Sequence, residues 1–302
     1  MALWYDRPVS DEPKSQEGLT RAERATLALN RFLNEQPLAK RLQQAWLTNV
    51  NQTLVRHVIG RRVFAENIEW LLEPPSNRGV VLCLNHRSYF DAYITMFAVY
   101  ERGAVWPRKM YFPVRSNFFY ESPAGAVVNL LMGGGVLYPP IFRDNSKAEL
   151  NRDALRRMVG FLDEPGSLIG LHPEGTRNKG DDPYTLLPAQ PGIGQIVLQG
   201  HPLVVPAFIN GLSNSYVEDI TSTFRRDIRR DNPVIIVFGD ALDYTDLSAQ
   251  KPRAALYKKM SDRIRDRIVE LGAREKVLRA KCASGEIATD HPGWVTNPPL
   301  RE

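Results

Sequence analysis

The sequence predicts an α/β fold: a mixed sheet covered by helices, with a helical N-terminal region in front of it. Three observations predict it. Short runs such as Val80-Val81-Leu82-Cys83-Leu84 and Ser167-Leu168-Ile169-Gly170-Leu171 are apolar, rich in β-formers and of strand length. From Val80 to about Phe208 such runs alternate with stretches whose apolar residues recur at helical spacing. Ahead of them, residues 20–72 read as helices.

Residues 1–17 are polar, with five acidic or basic side chains before residue 15, so no signal peptide is expected. Helices follow over 20–34, 37–59 and 61–72. In the second, Leu38, Leu42, Trp46, Val50, Leu54 and Val58 recur every four residues and form an apolar stripe flanked by Arg41 and Arg56. A stripe of this kind either packs on its own domain or lies on a membrane surface. The alternating part carries strands at 80–84, 109–114, 135–138, 167–171, 203–208 and 233–239. Its helices are expected at 88–101, 123–132, 146–163, 191–199 and 252–281. In the last, Leu256, Met260, Ile264, Ile268 and Leu271 form the buried face, and Arg263, Arg265, Arg267 and Arg274 lie on the polar one. The Pro- and Asn-containing end, 291–302, reads as irregular. The chain thus divides into a helical region at 1–74, an α/β domain at 75–281 and a tail at 282–302. It has no internal repeat, and Gly133-Gly134-Gly135 precedes a strand, so it is not a dinucleotide fingerprint.

Hydrophobic residues make up 43% and charged residues 24% of the 302 positions, as in ordinary soluble globular proteins. Cys83 and Cys282 are the only cysteines, which argues against a disulfide framework and for a reducing compartment. No continuous apolar window reaches the roughly 18 residues of a membrane span. The nearest candidate, Ser122 to Phe142, is interrupted by Asn129, three glycines and Pro139-Pro140. The net charge of +5 comes mainly from residues 251–302, which hold 12 basic and 7 acidic side chains. That surface, like Phe224-Arg225-Arg226-Asp227-Ile228-Arg229-Arg230, can attract an anionic membrane or the phosphates of a ligand. No aromatic interleaving or nucleic-acid motif accompanies the charge, so nucleic acid is not an expected partner.

Two segments carry the chemistry. In Asn85-His86-Arg87-Ser88-Tyr89-Phe90-Asp91, a histidine and a carboxylate fall on the turn between a strand and a helix. Asp91 fits a capping box with Ser88 as N-cap, and it equally fits a carboxylate that holds His86 in one tautomer and stabilises its protonated form. The N-cap position argues against Ser88 as a nucleophile. In His172-Pro173-Glu174-Gly175-Thr176-Arg177, a polar loop follows a second buried strand. Gly175 lets backbone approach a ligand, and Arg177 with Lys179 can bind a phosphate. A surface turn in which Glu174 pairs with Arg177 is the alternative.

The two segments, in this order and each after an apolar strand, resemble the glycerolipid acyltransferase family that includes the 1-acylglycerol-3-phosphate acyltransferases. The family's first motif is His, four residues, then Asp, and its second is usually Phe-Pro-Glu-Gly-Thr-Arg. His172 stands where the family has an aromatic residue, and its expected role is packing or a hydrogen bond under the loop. Two weaker blocks also correspond: Gly135 to Arg143, with an unusual Pro139-Pro140 pair, and Val205-Pro206. The resemblance covers roughly residues 75–210.

It implies acyl transfer from acyl-CoA or an acyl carrier protein, as co-substrate, to the hydroxyl of a lysophosphatidate-like glycerolipid. His86 would be the base and Asp91 its orienter, and Arg143, Glu174, Gly175, Thr176 and Arg177 would bind the acceptor. Neither a metal nor a prosthetic group is implied. The protein is expected in the cytoplasm, peripheral on the inner face of a membrane. Glycerol 3-phosphate, a lysophospholipid with a larger headgroup or an amino-lipid are alternative acceptors, and a non-enzymatic lipid-binding protein is an alternative class. A metal-dependent hydrolase would need more ligands than five scattered histidines provide.

Overall fold

A computed structural model describes residues 19–73, 77–116, 120, 127, 129–131, 133–213 and 215–298. The polar start at 1–17, most of the helix expected over 123–132 and the last residues of the tail lie outside them.

Strands β1 (Val63–Glu66), β2 (Val80–Leu84) and β3 (Lys109–Tyr111) come first in the chain, followed by the short β4 (Val114–Arg115) and β5 (Pro140–Ile141). After them come β6 (Ser167–Leu171), β7 (Leu203–Asn210) and β8 (Val234–Phe238). Six form one sheet in the order β1-β8-β7-β2-β6-β3, while β4 and β5 pair separately. All pairings are parallel except β7 with β8, so the sheet is mixed, as expected. β2, β6 and β8 are buried at every position. A strand covered on both faces has no polar alternation, and this is why these three read as continuous apolar runs.

Alternate residues of β2 enter two cores. Val80, Leu82 and Leu84 pack with Ile94, Phe97 and Ala98 of helix Asp91–Glu101 and with Leu47, Val55 and Ile59 of the N-terminal helices. Val81 and Cys83 face Met158 and Leu162 of helix Ala148–Leu162, Ile193 and Ile196 of helix Pro191–Gly200, and Met260, Ile264 and Ile268 of helix Ala254–Ser284. The five apolar residues expected on the buried face of that last helix are all buried.

Three expectations are corrected. The stretch 61–72 is not a helix: Val63–Glu66 is an edge strand pairing Val63 with Val234 through Glu66 with Val237, between single turns at Gly60–Arg62 and Ile68–Leu71. Phe64, Ile68 and Leu71 imitate a helical period, but Asn67 takes a left-handed φ of 59° that ends any helix. The strand expected over 135–138 is a turn, with φ of 57° at Gly134 and 84° at Gly135, and the pairing falls instead on Pro140–Ile141. The helix expected from Ser88 starts at Asp91, with Phe90 as N-cap, so Ser88 lies in the preceding turn.

The C-terminal segment after Gly285 is irregular yet pinned. Ala65 N–H donates to Gly293 O at 2.9 Å and Val295 N–H to Val63 O at 3.0 Å, which covers the free edge of β1. Trp294 is fully buried there.

The N-terminal helices are Arg21–Glu35, Pro37–Ala45 and Gln52–Val58, with a π turn at Trp46–Asn51 between the last two, and although Leu47 and Val55 face the core, the expected apolar stripe faces outward. Lys40, Gln43 and Asn51 face inward, while Leu38 is 71% exposed and Leu42 65%, and Trp46, Val50 and Leu54 are also exposed. The buried Lys40 ammonium finds three acceptors, Asn34 Oδ1 at 2.8 Å, Gln43 Oε1 at 2.7 Å and Met110 O at 2.5 Å. It also lies 3.8 Å from the centre of the Tyr111 ring. Those partners satisfy the buried amino group and hold the polar side against the sheet, while burial, with the Lys109 cation second, pushes the Lys40 pKa well down. Leu29, Phe32, Val127, Leu130 and Leu131 are exposed too, and Trp46 Nε1 donates to Leu131 O at 3.2 Å, which joins the last group to the stripe. Among the described residues, no helix is long and apolar enough to cross a membrane.

Candidate active site

The two motifs sit at the carboxyl ends of adjacent parallel strands, β2 and β6, where open α/β sheets commonly bind ligands. Where β2 stops, the Asn85 side chain continues its ladder: Oδ1 accepts from Ile209 N–H at 2.8 Å and Nδ2 donates to Ile209 O at 2.9 Å. That clamp launches the turn carrying His86.

His86 Nδ1 lies 3.0 Å from Asp91 Oδ2. The same oxygen accepts the backbone N–H of Arg87 at 2.7 Å and of Ser88 at 2.9 Å. Because the N-cap is Phe90 and not Ser88, Asp91 does not close the expected capping box; its Oδ2 ties the turn before the helix and holds the imidazole at once. Facing a carboxylate, His86 Nδ1 carries the proton, so Nε2 has the free lone pair. Asp91 is 1% exposed and the His86 side chain 22%, so the carboxylate lies behind a histidine open to solvent on one side. Burial, with the Arg177 cation second, lowers His86 to about 3. Burial raises Asp91 to about 6, opposed by the nearby His172 and by the backbone N–H donors. Near neutrality the pair is thus a neutral imidazole on a carboxylate.

The second motif closes on the first through main-chain contacts. Glu174 Oε1 accepts His86 N–H at 2.9 Å, and its Oε2 accepts Leu187 N–H at 2.8 Å. Asn178 N–H donates to His86 O at 2.8 Å. Glu174 is buried with both oxygens committed to backbone, so its carboxylate does not pair with Arg177. Gly175 takes a φ of 61°, and a Cβ there would come within 2.9 Å of Gln190 Cγ. The Arg177 guanidinium stacks 3.6 Å from the centre of the Tyr89 ring, and Thr176 is half-buried beside it. His172 does both things expected of it. It stacks on His86 with ring centroids 3.9 Å apart, and its Nδ1 bonds to the Leu84 and Asn85 carbonyls.

Arg115, unremarked in the sequence, reaches the same loop: its Nε donates to Gly175 O at 3.0 Å. Its only sequence signal is a cation at the end of an apolar strand. The structure therefore brings together His86, Asp91, Glu174, Gly175, Thr176 and Arg177, with Arg115 and Tyr89 added. Arg143 is not tied to that set by any contact. It follows β5, is exposed, and makes no hydrogen bond or ion pair with any of these residues. Among the described residues, no three His, Cys, Asp or Glu side chains are grouped as metal ligands.

In comparisons with known proteins, the family model described as Acyltransferase matches residues 60–210, half of the chain. No curated protein matches. Among solved structures, the chain is similar to the 1-acyl-sn-glycerophosphate (LPA) acyltransferase PlsC from Thermotoga maritima, with 16% identity and a TM-score of 0.47 over 82% of this chain and 88% of that one.

Proposed function

The chain belongs to the Acyltransferase family, and on that premise we propose that it acylates a lysophosphatidate-like glycerolipid from a thioester donor, acyl-CoA or acyl carrier protein. The observation that carries the proposal is the His86–Asp91 contact at 3.0 Å, with Nε2 of His86 left free beside a cationic loop.

His86 Nε2 takes the proton of the acceptor hydroxyl as its oxygen attacks the thioester carbonyl. The tetrahedral intermediate collapses by breaking the carbon–sulfur bond, and the proton passes from His86 to the departing sulfur. The Asp91 carboxylate stabilises the imidazolium in between. No acyl-enzyme forms, and the scheme needs neither a metal nor a prosthetic group. Arg177 and Arg115 are poised to hold the acceptor phosphate, with the exposed Arg143 as a further cation for it. Glu174, Gly175 and Thr176 shape the loop that presents these charges.

Arg177 also links acceptor binding to the base. Its charge helps keep His86 from binding a proton. A phosphate dianion seated on Arg177 offsets that charge, so His86 becomes a stronger base once the acceptor is in place.

A membrane-bound acceptor has to be met at a surface. The exposed stripe of Leu38, Leu42, Trp46, Val50 and Leu54 supports docking on a bilayer, with the protein peripheral on the inner, cytoplasmic face. A second contact is Phe224, 77% exposed, beside the exposed Arg225 and Arg226, which suit anionic headgroups. The C-terminal helix contributes less to this charge. Arg263 is paired with Asp246, Arg267 with Glu270, and Arg274 with Glu66 at 2.7 Å.

The test is transfer of labelled acyl groups from acyl-CoA and acyl carrier protein to lysophosphatidate, glycerol 3-phosphate and lysophosphatidylcholine. Preference for lysophosphatidate is the expected outcome. Transfer to none of them in the presence of anionic vesicles would favour lipid binding without chemistry.

A further inference from the structure

His172 is tied to the same stretch of backbone that carries His86. Its Nδ1 lies 3.1 Å from the Leu84 carbonyl oxygen and 3.0 Å from that of Asn85, the two residues preceding His86. Two acceptors call for a donor, so Nδ1 holds the proton and the ring is fixed in one tautomer. The two imidazoles are stacked, 13° from parallel and 3.9 Å between centroids.

Asp91 grips His86 at one ring atom, Nδ1. A single hydrogen bond at Nδ1 still leaves the ring a range of tilts about its Cβ–Cγ bond, because an N–H can approach a carboxylate oxygen over a broad set of directions. Turning would swing Nε2, on the far side of the ring, away from an acceptor hydroxyl. A flat ring in contact along one whole face removes that freedom on its side.

We infer that His172 is a positioning residue, a plate anchored on the Leu84 and Asn85 carbonyls that sets the plane of His86 and so aims Nε2 at the acceptor hydroxyl. The inference rests on the proposal that His86 is the base. Any flat ring supplies the plate. The imidazole adds N–H anchorage that stops the plate itself from sliding. Burial, followed by the neighbouring His86, lowers His172 to about 3, so the plate stays neutral and adds no second cation beside the imidazolium.

The test compares His172→Phe, which keeps a ring without the N–H, with His172→Gln, which keeps an N–H without the ring. Glutamine is expected to lower kcat about 10- to 100-fold with KM for both substrates unchanged, the scale on which misplacing a reacting group is felt. Phenylalanine is expected to stay within about 3-fold of the parent, since it retains the face that constrains His86. A second readout needs no turnover. The ¹³C relaxation of the His86 imidazole Cδ2–H and Cε1–H bonds should report a rigid ring in the parent and the Phe variant and a mobile one in the Gln variant, with the Nδ1-protonated tautomer kept by Asp91 in all three. Where glutamine unfolds the protein in a thermal melt, His172→Leu, which also lacks a flat ring, takes its place.

A non-aromatic variant with parental kcat and an equally rigid His86 ring would overturn the inference, as would a loss confined to KM. If instead His86→Ala is fully active, the base assignment fails, while the relaxation still reports whether His172 fixes the ring.

Discussion

The Glu174 carboxylate accepts the backbone N–H of His86 at 2.9 Å, so the acid of the second motif holds the histidine of the first by its main chain. Its other oxygen accepts Leu187 N–H, which makes Glu174 the brace between two loops rather than a group turned toward solvent. Two segments far apart in sequence are thereby one rigid unit.

Replacing Glu174 by Gln should accordingly cost stability as well as rate. An amide can accept only one of the two N–H groups through its oxygen, and its NH2 then faces the other donor. One buried donor is left unmet, at a cost of about 1–3 kcal/mol. Urea unfolding of the variant checks this; unaltered stability would show that the brace is not needed.

Asp91→Asn should lower kcat by about 10²- to 10⁴-fold with little change in KM, because the amide neither fixes the His86 tautomer nor stabilises the imidazolium. Steady-state kinetics decide it. A loss appearing mainly in KM would assign Asp91 to acceptor binding instead.

The pH profile should report Arg177. A base works in its neutral form, and burial together with Arg177 holds His86 at about 3, below its ordinary 6.5. In the parent, kcat/KM should therefore fall in two steps, first near pH 6 as the Asp91 carboxylate that supports His86 is protonated, and again only on strong acidification as His86 itself is. Arg177→Gln removes a cation that opposes protonation, so the His86 pKa rises and the His86 step of the acid limb of kcat/KM moves to higher pH. KM for the acceptor should rise as well. A His86 step that stays put or moves to lower pH would break the link between Arg177 and the base.

The exposed N-terminal stripe should govern membrane binding. Leu42→Glu with Trp46→Glu places two carboxylates on an outward apolar face and should abolish co-sedimentation with vesicles containing anionic lipid, while a short-chain, water-soluble acceptor is still turned over. Retained co-sedimentation would move the docking surface elsewhere.

How much of this the sequence disclosed depended on burial. β2 and β6 were legible to the residue because strands covered on both faces are continuous apolar runs. β1 was not: it is a four-residue edge strand whose Phe64 makes a false helical period with Ile68 and Leu71. The apolar stripe from Leu38 to Leu54 was visible, but its direction was not. Periodicity reveals that a face exists, whereas the outcome turned on Lys40 and Gln43 finding acceptors inside the protein. His86, Asp91 and the Glu174–Arg177 loop were legible as motifs because they are local in sequence. Arg115 was not, because its contact with Gly175 exists only after folding.

The central claim is that His86, held by Asp91, is the base of an acyl transfer. The most direct measurement is the rate of acyl transfer from labelled acyl-CoA to lysophosphatidate by the parent and by His86→Ala, with folding of both verified by thermal melting. Loss of kcat by about 10³-fold or more in a folded variant is the predicted result. Parental turnover by folded His86→Ala would contradict the account.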